Sequence, residues 1–295
     1  MEKVDTNKLP SLKEIQEIIS EIENSDFSQV GYNKLFRKLQ TLILIPFVTA
    51  KLNKGYHIER GRINKPDEVF TSEKEISYRT DYKNIVNYGR ANVPHFSLFY
   101  GAIESDIIEH PRLVNLLETS EIFRNLKENN VDKADFVMTL GKWRIINEME
   151  VVEIVFDENS IKNSNDVKKS YEYHLKRLIE HYPEHSEHFK LILTFFSNQF
   201  AKKDIKTNFD YMVSAAYSDM AINIRNFVGV KYPSVKTDYQ GHNVVLTPMA
   251  VENNLELEIA AMFRVIKNGM ETLVTPIAHA TEFGKLNSEF KRVYK

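Results

Sequence analysis

Three observations predict an α+β fold. Short apolar runs of strand length alternate with polar turns through the middle of the chain, and longer segments there carry helical spacing. The two kinds do not follow the regular strand–helix–strand rhythm of a doubly wound sheet. The composition agrees: with 42% hydrophobic and 27% charged residues, the chain of 295 residues is an ordinary globular polymer that can bury a sizeable core. No internal repeat, low-complexity tract or linker divides it. One integrated unit is expected, with a helical N-terminal extension over residues 1–50 and an α+β domain over 51–295.

The elements follow in order. Pro10-Ser11 opens a helix in which Leu12, Ile15, Ile18, Ile19 and Ile22 recur at helical spacing, and Ser11 with Glu14 forms a capping box. A second apolar run, Leu35 to Phe47, closes near Pro46. Strands are expected over Ser97–Ile103, Phe136–Leu140 and Val151–Phe156, and helices over Asp166–Ile179, around His185–Phe200 and over Phe209–Phe227. Gly229–Tyr232, Asn243–Leu246, Leu255–Ile259 and Glu271–Ile277 read as further strands.

Several function classes are set aside by composition. A net charge of −2 gives no electrostatic reason to expect a nucleic acid or an anionic membrane as partner. The absence of cysteine removes disulfides, thiolate nucleophiles and cysteine zinc sites together. The N-terminal segment is charged throughout and lacks the apolar core of a signal peptide, and no window has the apolar length of a spanning helix, so a cytoplasmic protein is expected. No glycine-rich phosphate loop and no Gly-x-Ser-x-Gly elbow occurs.

The residues that carry chemistry begin at Tyr88-Gly89-Arg90-Ala91-Asn92-Val93-Pro94. An Arg and an Asn precede a Pro-containing turn, and the apolar strand after it contains Tyr100. Strand alternation sends Phe99 and Tyr100 to opposite faces, with Arg90 at the strand's mouth. The planar fork of arginine suits a phosphate, and a Tyr offers a flat face to an aromatic ring. Taken alone, the segment fits better a surface Arg beside a half-buried Tyr.

Gly89-Arg90-Ala91-Asn92, Pro94 and Tyr100 together resemble the signature of the RES-domain family, toxin-type relatives of the ADP-ribosyltransferases. Arg60-Gly61-Arg62 is similar to the Arg-x-Arg that closes the family's first strand. Tyr232-Pro233-Ser234 followed by Asn243-Val244-Val245-Leu246-Thr247-Pro248 resembles its closing block, and Tyr211 through Ile224 resembles the helix leading into that block. The similarity spans about residues 56–251, most of the chain. It implies a RES fold resembling ADP-ribosyltransferases, NAD+ as the molecule bound, and cleavage of the nicotinamide–ribose bond by glycohydrolysis, phosphorolysis or ADP-ribosyl transfer. A helix-turn-helix antitoxin protein and a homodimer are the partners it implies. A non-catalytic nucleotide-binding module and a target-specific ADP-ribosyltransferase are the alternatives.

Of the Arg, Glu and Ser that name the family, Arg90 and Ser234 carry over directly. The Glu does not, because the family's spacing from Tyr100 falls here on Pro111. Glu104, Glu109, Glu118 and Glu121 are the candidates. Leu116-Leu117-Glu118 has the look of the family helix and implies Glu118, reached by an insertion around residues 105–112; Glu109 is the runner-up. Ala91 stands where an aromatic residue is common, and His95 where Gly is. The bond at issue leaves from a positively charged nicotinamide, so cleavage passes through an oxocarbenium-like state and needs no acid on the leaving group. By resemblance Glu118 stabilises that charge, and Arg90 holds the pyrophosphate with Arg60 or Arg62. Tyr100 stacks on the nicotinamide side, Ser234 hydrogen-bonds ribose or carboxamide, and Asn92 belongs to the same NAD+-binding set.

Plainer signals complete the reading. His181, His185 and His188 have a spacing that could gather them on one helix face, but Pro183 interrupts it and no partner motif accompanies them, so no metal is expected. Trp143 reads as packing beside a turn, and Lys168-Lys169 and Lys202-Lys203 as solvated faces.

Overall fold

The computed structural model describes residues 9–119, 133–269 and 271–281. Its strands form one open sheet: β1 (Thr49–Leu52), β2 (His57–Ile63), β3 (Phe99–Ile103), β4 (Lys133–Ile145), β5 (Met149–Glu153), β6 (Gly229–Pro233), β7 (His242–Leu246), β8 (Leu255–Asn268) and β9 (Glu271–Ala280). They lie in the order β1-β5-β6-β7-β3-β2-β4-β8-β9, antiparallel except where β6 runs parallel to β5. The helices are α1 (Leu12–Glu23), α2 (Phe27–Val30), α3 (Tyr32–Gln40), α4 (Glu73–Ile76), α5 (Arg112–Thr119), α6 (Glu158–Asn163), α7 (Asn165–His181), α8 (Ser186–Phe200), α9 (Met212–Asp219) and α10 (Pro248–Asn254). The fold is mixed α+β, as the sequence predicts.

Period-two alternation divides the core between the two sheet faces. Phe99, Val151, Val244 and Leu246 point one way, to pack with Trp143 and Ile58. Tyr100, Val152, Tyr232 and Val245 point the other way, under α1, α3, α8 and α9. The N-terminal helices are built into this second layer. Ser11 and Glu14 cap α1 with the expected box, and Ile15, Ile19 and Ile22 bury its apolar stripe beside Leu35 and Leu39 of α3.

Several elements differ from the sequence reading. The strand expected at Phe136–Leu140 runs through all of β4, paired on both sides by β2 and β8. Trp143 therefore sits inside a central strand, fully buried and edge-on to Phe99 at 5.4 Å, not beside a turn. The helix expected over Phe209–Phe227 is broken into a 3-10 turn at Asn208–Tyr211, α9, and a π turn at Met220–Ile224, where the Arg225 N–H reaches back to the Met220 carbonyl. The strand expected over Val151–Phe156 ends at Glu153, and that over Ser97–Ile103 begins at Phe99. The tail strands are longer than expected and form a hairpin, β8–β9, turned at Gly269 with φ 59°.

His181 ends α7, whereas His185 caps α8 and His188 lies within it, so the three do not share a helix face. Among the described residues no group of His, Asp or Glu is placed to hold a metal. Lys168, Lys169 and Lys203 are solvated as expected, but Lys202 is half-buried and burial lowers its pKa. Among the described residues, no helix is long and apolar enough to cross a membrane.

Candidate functional site

The site is assembled on the sheet face that carries Tyr100, where α5 crosses β2 and β3 toward the turn after β6. Asn115 fixes the helix: its amide donates to the Glu59 carbonyl at 2.8 Å and its Oδ1 accepts the Gly61 N–H at 3.2 Å. One turn further along the same helix, Glu118 faces the end of β6 and the start of β7. Its Oε1 accepts the Ser234 hydroxyl at 2.6 Å and the Asn243 amide at 2.9 Å. Both donors are buried, Ser234 completely.

The local chain explains why Ser234 can aim there. Its N–H donates to the Gly241 carbonyl at 2.8 Å and its own carbonyl accepts the Tyr239 N–H at 2.9 Å. Asp238 and Tyr239 adopt positive φ, 50° and 69°, and return the chain directly into β7. Ser234 and Asn243 are thus held on two adjacent strands by one short turn.

Tyr100 and the Gly89–Asn92 turn form the second part. The Tyr100 hydroxyl donates to Asn92 Oδ1 at 2.8 Å and accepts the Ala91 N–H at 3.2 Å. Burial pushes its pKa well up, so it remains a neutral phenol. Gly89 is required by space, since a Cβ there would stand 2.3 Å from Asn92 Oδ1. Beside Tyr88, Gly89, Asn92 and Tyr100 a cleft of about 260 Å³ opens, with Arg60 and Arg79 on its wall.

Tyr232 links the two parts. Burial raises its pKa most, the neighbouring Tyr100, Glu118 and Tyr211 add to the rise, and Arg90 opposes them. Arg90, Tyr100 and Glu118 therefore all lie within electrostatic reach of one buried phenol, and Ser234 touches Glu118 directly. Arg90 itself is engaged with the end of α8: its guanidinium donates to the Phe200 carbonyl and, at 3.3 Å, to that of Lys202, and it lies over the Tyr211 ring at 5.1 Å.

The remaining expectations divide. Arg60 projects to the opposite face of β2, over the Phe99 ring at 5.3 Å, and donates to the carbonyls of Tyr100, Ile76 and Ser77. It braces the start of β3 and still lines the cleft; burial lowers its pKa to about 10. Arg62, on the same face of β2 as Arg60, lies over Phe70 and donates to the Glu75 carbonyl, so it is held against α4 and does not line the cleft. Glu104 and Glu109 line a different cavity, beyond α5. Glu121 lies outside the described residues. Ser234, expected to hydrogen-bond ribose or carboxamide, donates its hydroxyl to Glu118 here. Asn243, Tyr211 and Tyr232 belong to the constellation, although the family resemblance assigns none of them a role.

No family model matches the chain, and no curated protein matches its sequence.

Proposed function

We propose that this chain binds NAD+ and cleaves its nicotinamide–ribose bond, with Glu118 as the carboxylate that stabilises positive charge developing on the ribose. The observation that supports this most is the Glu118 carboxylate held by Ser234 and Asn243, residues 116 and 125 positions away in sequence. A carboxylate fixed by two donors through one oxygen has a defined orientation. Among the described residues its Oε2 accepts no hydrogen bond, which leaves it for a ribose hydroxyl.

In this reading Ser234 and Asn243 are positioning residues. Tyr100, neutral and fixed by Asn92, supplies a ring face at the cleft for a planar base. Arg60, whose guanidinium also braces the Tyr100, Ile76 and Ser77 carbonyls, and Arg79, paired with Asp81, are the cations on the cleft wall nearest a pyrophosphate bound there. The leaving nicotinamide is already cationic, so the chemistry requires the carboxylate and an acceptor but no acid on the leaving group. Water, phosphate or a protein side chain then takes the ribosyl group; the last would make the chain a target-specific ADP-ribosyltransferase. A helix-turn-helix antitoxin and a homodimer remain part of the same reading.

One observation favours a second reading, a nucleotide-binding module without catalysis. The fork of Arg90 is occupied by the carbonyls at the end of α8, so it holds structure rather than standing free for a phosphate. Nicotinamide release from NAD+ by the purified protein separates the two. The proposal expects release that Glu118→Gln abolishes, whereas NAD+ binding without release by the parent protein would leave the binding module.

A further inference from the structure

We propose that Tyr239 is a positioning residue for the reaction. Its side chain, seated on the end of α8, holds the turn between β6 and β7 in a strained shape that aims Ser234 at Glu118. The catalytic consequence rests on the NAD+ reading above, whereas the hold on the turn does not.

The backbone of the turn is unusual at two successive residues, since Asp238 and Tyr239 both have positive φ, 50° and 69°. An Asp tolerates the left-handed region. A bulky side chain such as Tyr crowds its own backbone there and keeps that conformation only where its surroundings impose it. The conformation brings the Tyr239 N–H to the Ser234 carbonyl at 2.9 Å, and the Thr237 hydroxyl donates to the same carbonyl at 3.1 Å. Ser234 is therefore fixed from behind by the most strained residue of its own turn.

The Tyr239 side chain supplies what imposes the shape. It is buried, and with Phe200 and Pro233 it lines one small gap. Its hydroxyl donates to the Ala201 carbonyl at 3.3 Å. The Lys203 ammonium lies over its ring at 5.2 Å and 3.5 Å from the Asp238 carboxylate. The last carbonyls of a helix lack partners within it, and here the site supplies them. Arg90 takes the carbonyls of Phe200 and Lys202, and Tyr239 takes the one between. The end of α8 thus keys the half of the site around Tyr100 to the half around Ser234. On the other side the turn meets α5 and the connection leading into it. Ser105 donates to the Gln240 carbonyl at 2.6 Å, and a Cβ on Gly241 would stand 2.5 Å from Val114. Confined between α8 and α5, the turn presents Ser234 where Glu118 of α5 accepts it.

Strain leaves a signature that packing alone does not. Ala at position 239 removes the ring but keeps the Cβ that disfavours positive φ, whereas Gly removes both. Tyr239→Gly should therefore be the milder change, the reverse of the usual order.

The test compares Tyr239→Ala and Tyr239→Gly with the parent chain, all verified as folded by thermal melting. Nicotinamide release from NAD+ and amide hydrogen exchange over residues 234–241 are the two readouts. Tyr239→Ala should lower kcat about tenfold or more with KM changed less than about twofold, and should speed exchange by a similar factor. Tyr239→Gly should recover most of both. Tyr239→Phe, which loses only the hydroxyl, should show the same pattern at about two- to fivefold and replaces Tyr239→Ala if that variant does not fold. Unchanged exchange in Tyr239→Ala would overturn the hold on the turn, and faster exchange with unchanged kcat would overturn the positioning role. A Tyr239→Gly protein as impaired as Tyr239→Ala would overturn the part played by strain. A parent that releases no nicotinamide would fail the NAD+ reading alone, and exchange would then decide whether Tyr239 holds the turn.

Discussion

Replacing Ser234 by Ala removes one oxygen from a fully buried position and leaves the backbone turn that places it intact. The lost contact is the 2.6 Å hydrogen bond to Glu118, a charge-assisted bond from a fully buried hydroxyl to a half-buried carboxylate. Such bonds contribute about 1.5–3 kcal/mol, which corresponds to roughly 10- to 100-fold in a rate when the bond orients a reacting carboxylate. Asn243 still donates to the same oxygen at 2.9 Å, so the carboxylate is loosened rather than freed. The assay is steady-state nicotinamide release, read as kcat and KM separately, with thermal melting recorded on the same preparation. A positioning role predicts that the loss falls mainly on kcat, and that Ser234→Ala combined with Asn243→Ala is worse than either alone. A Ser234→Ala protein that melts normally and keeps its kcat within about threefold would refute the reasoning, because a bond of that class cannot be removed from a working carboxylate at so small an effect.

Two further predictions concern stability. Glu153 is almost fully buried between His174 at 2.9 Å and Lys231 at 2.8 Å, and although burial pushes its pKa up, these partners outweigh it and bring the value down from 4.5 to about 2. A depressed carboxylate stabilises the fold above its ordinary pKa, and the contribution of about 3 kcal/mol is lost as pH falls from about 4.5 toward 2. Urea unfolding at pH 6 and pH 3 should show about 2 kcal/mol of that loss, much reduced in Glu153→Gln; an unchanged pH dependence in the variant would contradict it. His242, whose pKa burial lowers, acts in the same direction at somewhat higher pH. Gly89→Ala should destabilise by about 1–3 kcal/mol, since its Cβ would collide with Asn92 Oδ1 unless the Asn92–Tyr100 bond breaks. A melting temperature equal to that of the parent would show that the turn yields freely.

The parts of this architecture that the sequence reveals are those fixed by local rules. The α1 capping box and the opposite faces of Phe99 and Tyr100 follow from cap chemistry and strand alternation, whereas the helix bearing Glu118 is implied only by the family resemblance. β4 is obscured because Asp135, Lys142 and Arg144 interrupt its apolar pattern; their charges are answered by Arg264, by the cavity beyond α5 and by Glu256, none of which is visible from β4 alone. The environment of Arg90 is hidden for a different reason. Its partners are main-chain carbonyls more than 100 residues away, and a carbonyl carries no signature in sequence. Asn243 carries no signal in the sequence, because an Asn at the start of a buried strand is ordinary until a carboxylate approaches it. The β2 arginines show the limit of a motif: one Arg-x-Arg pair sends both side chains to the same face of the strand, the one opposite Tyr100.

The most direct test of the central claim is a time course of nicotinamide release from NAD+ by the purified chain and its Glu118→Gln variant, both verified as folded. The account predicts release by the parent, alone or with phosphate present, and its loss in the variant with NAD+ binding retained. Release that survives Glu118→Gln would contradict the assignment of the carboxylate, and no release from the parent under either condition would contradict the proposed reaction.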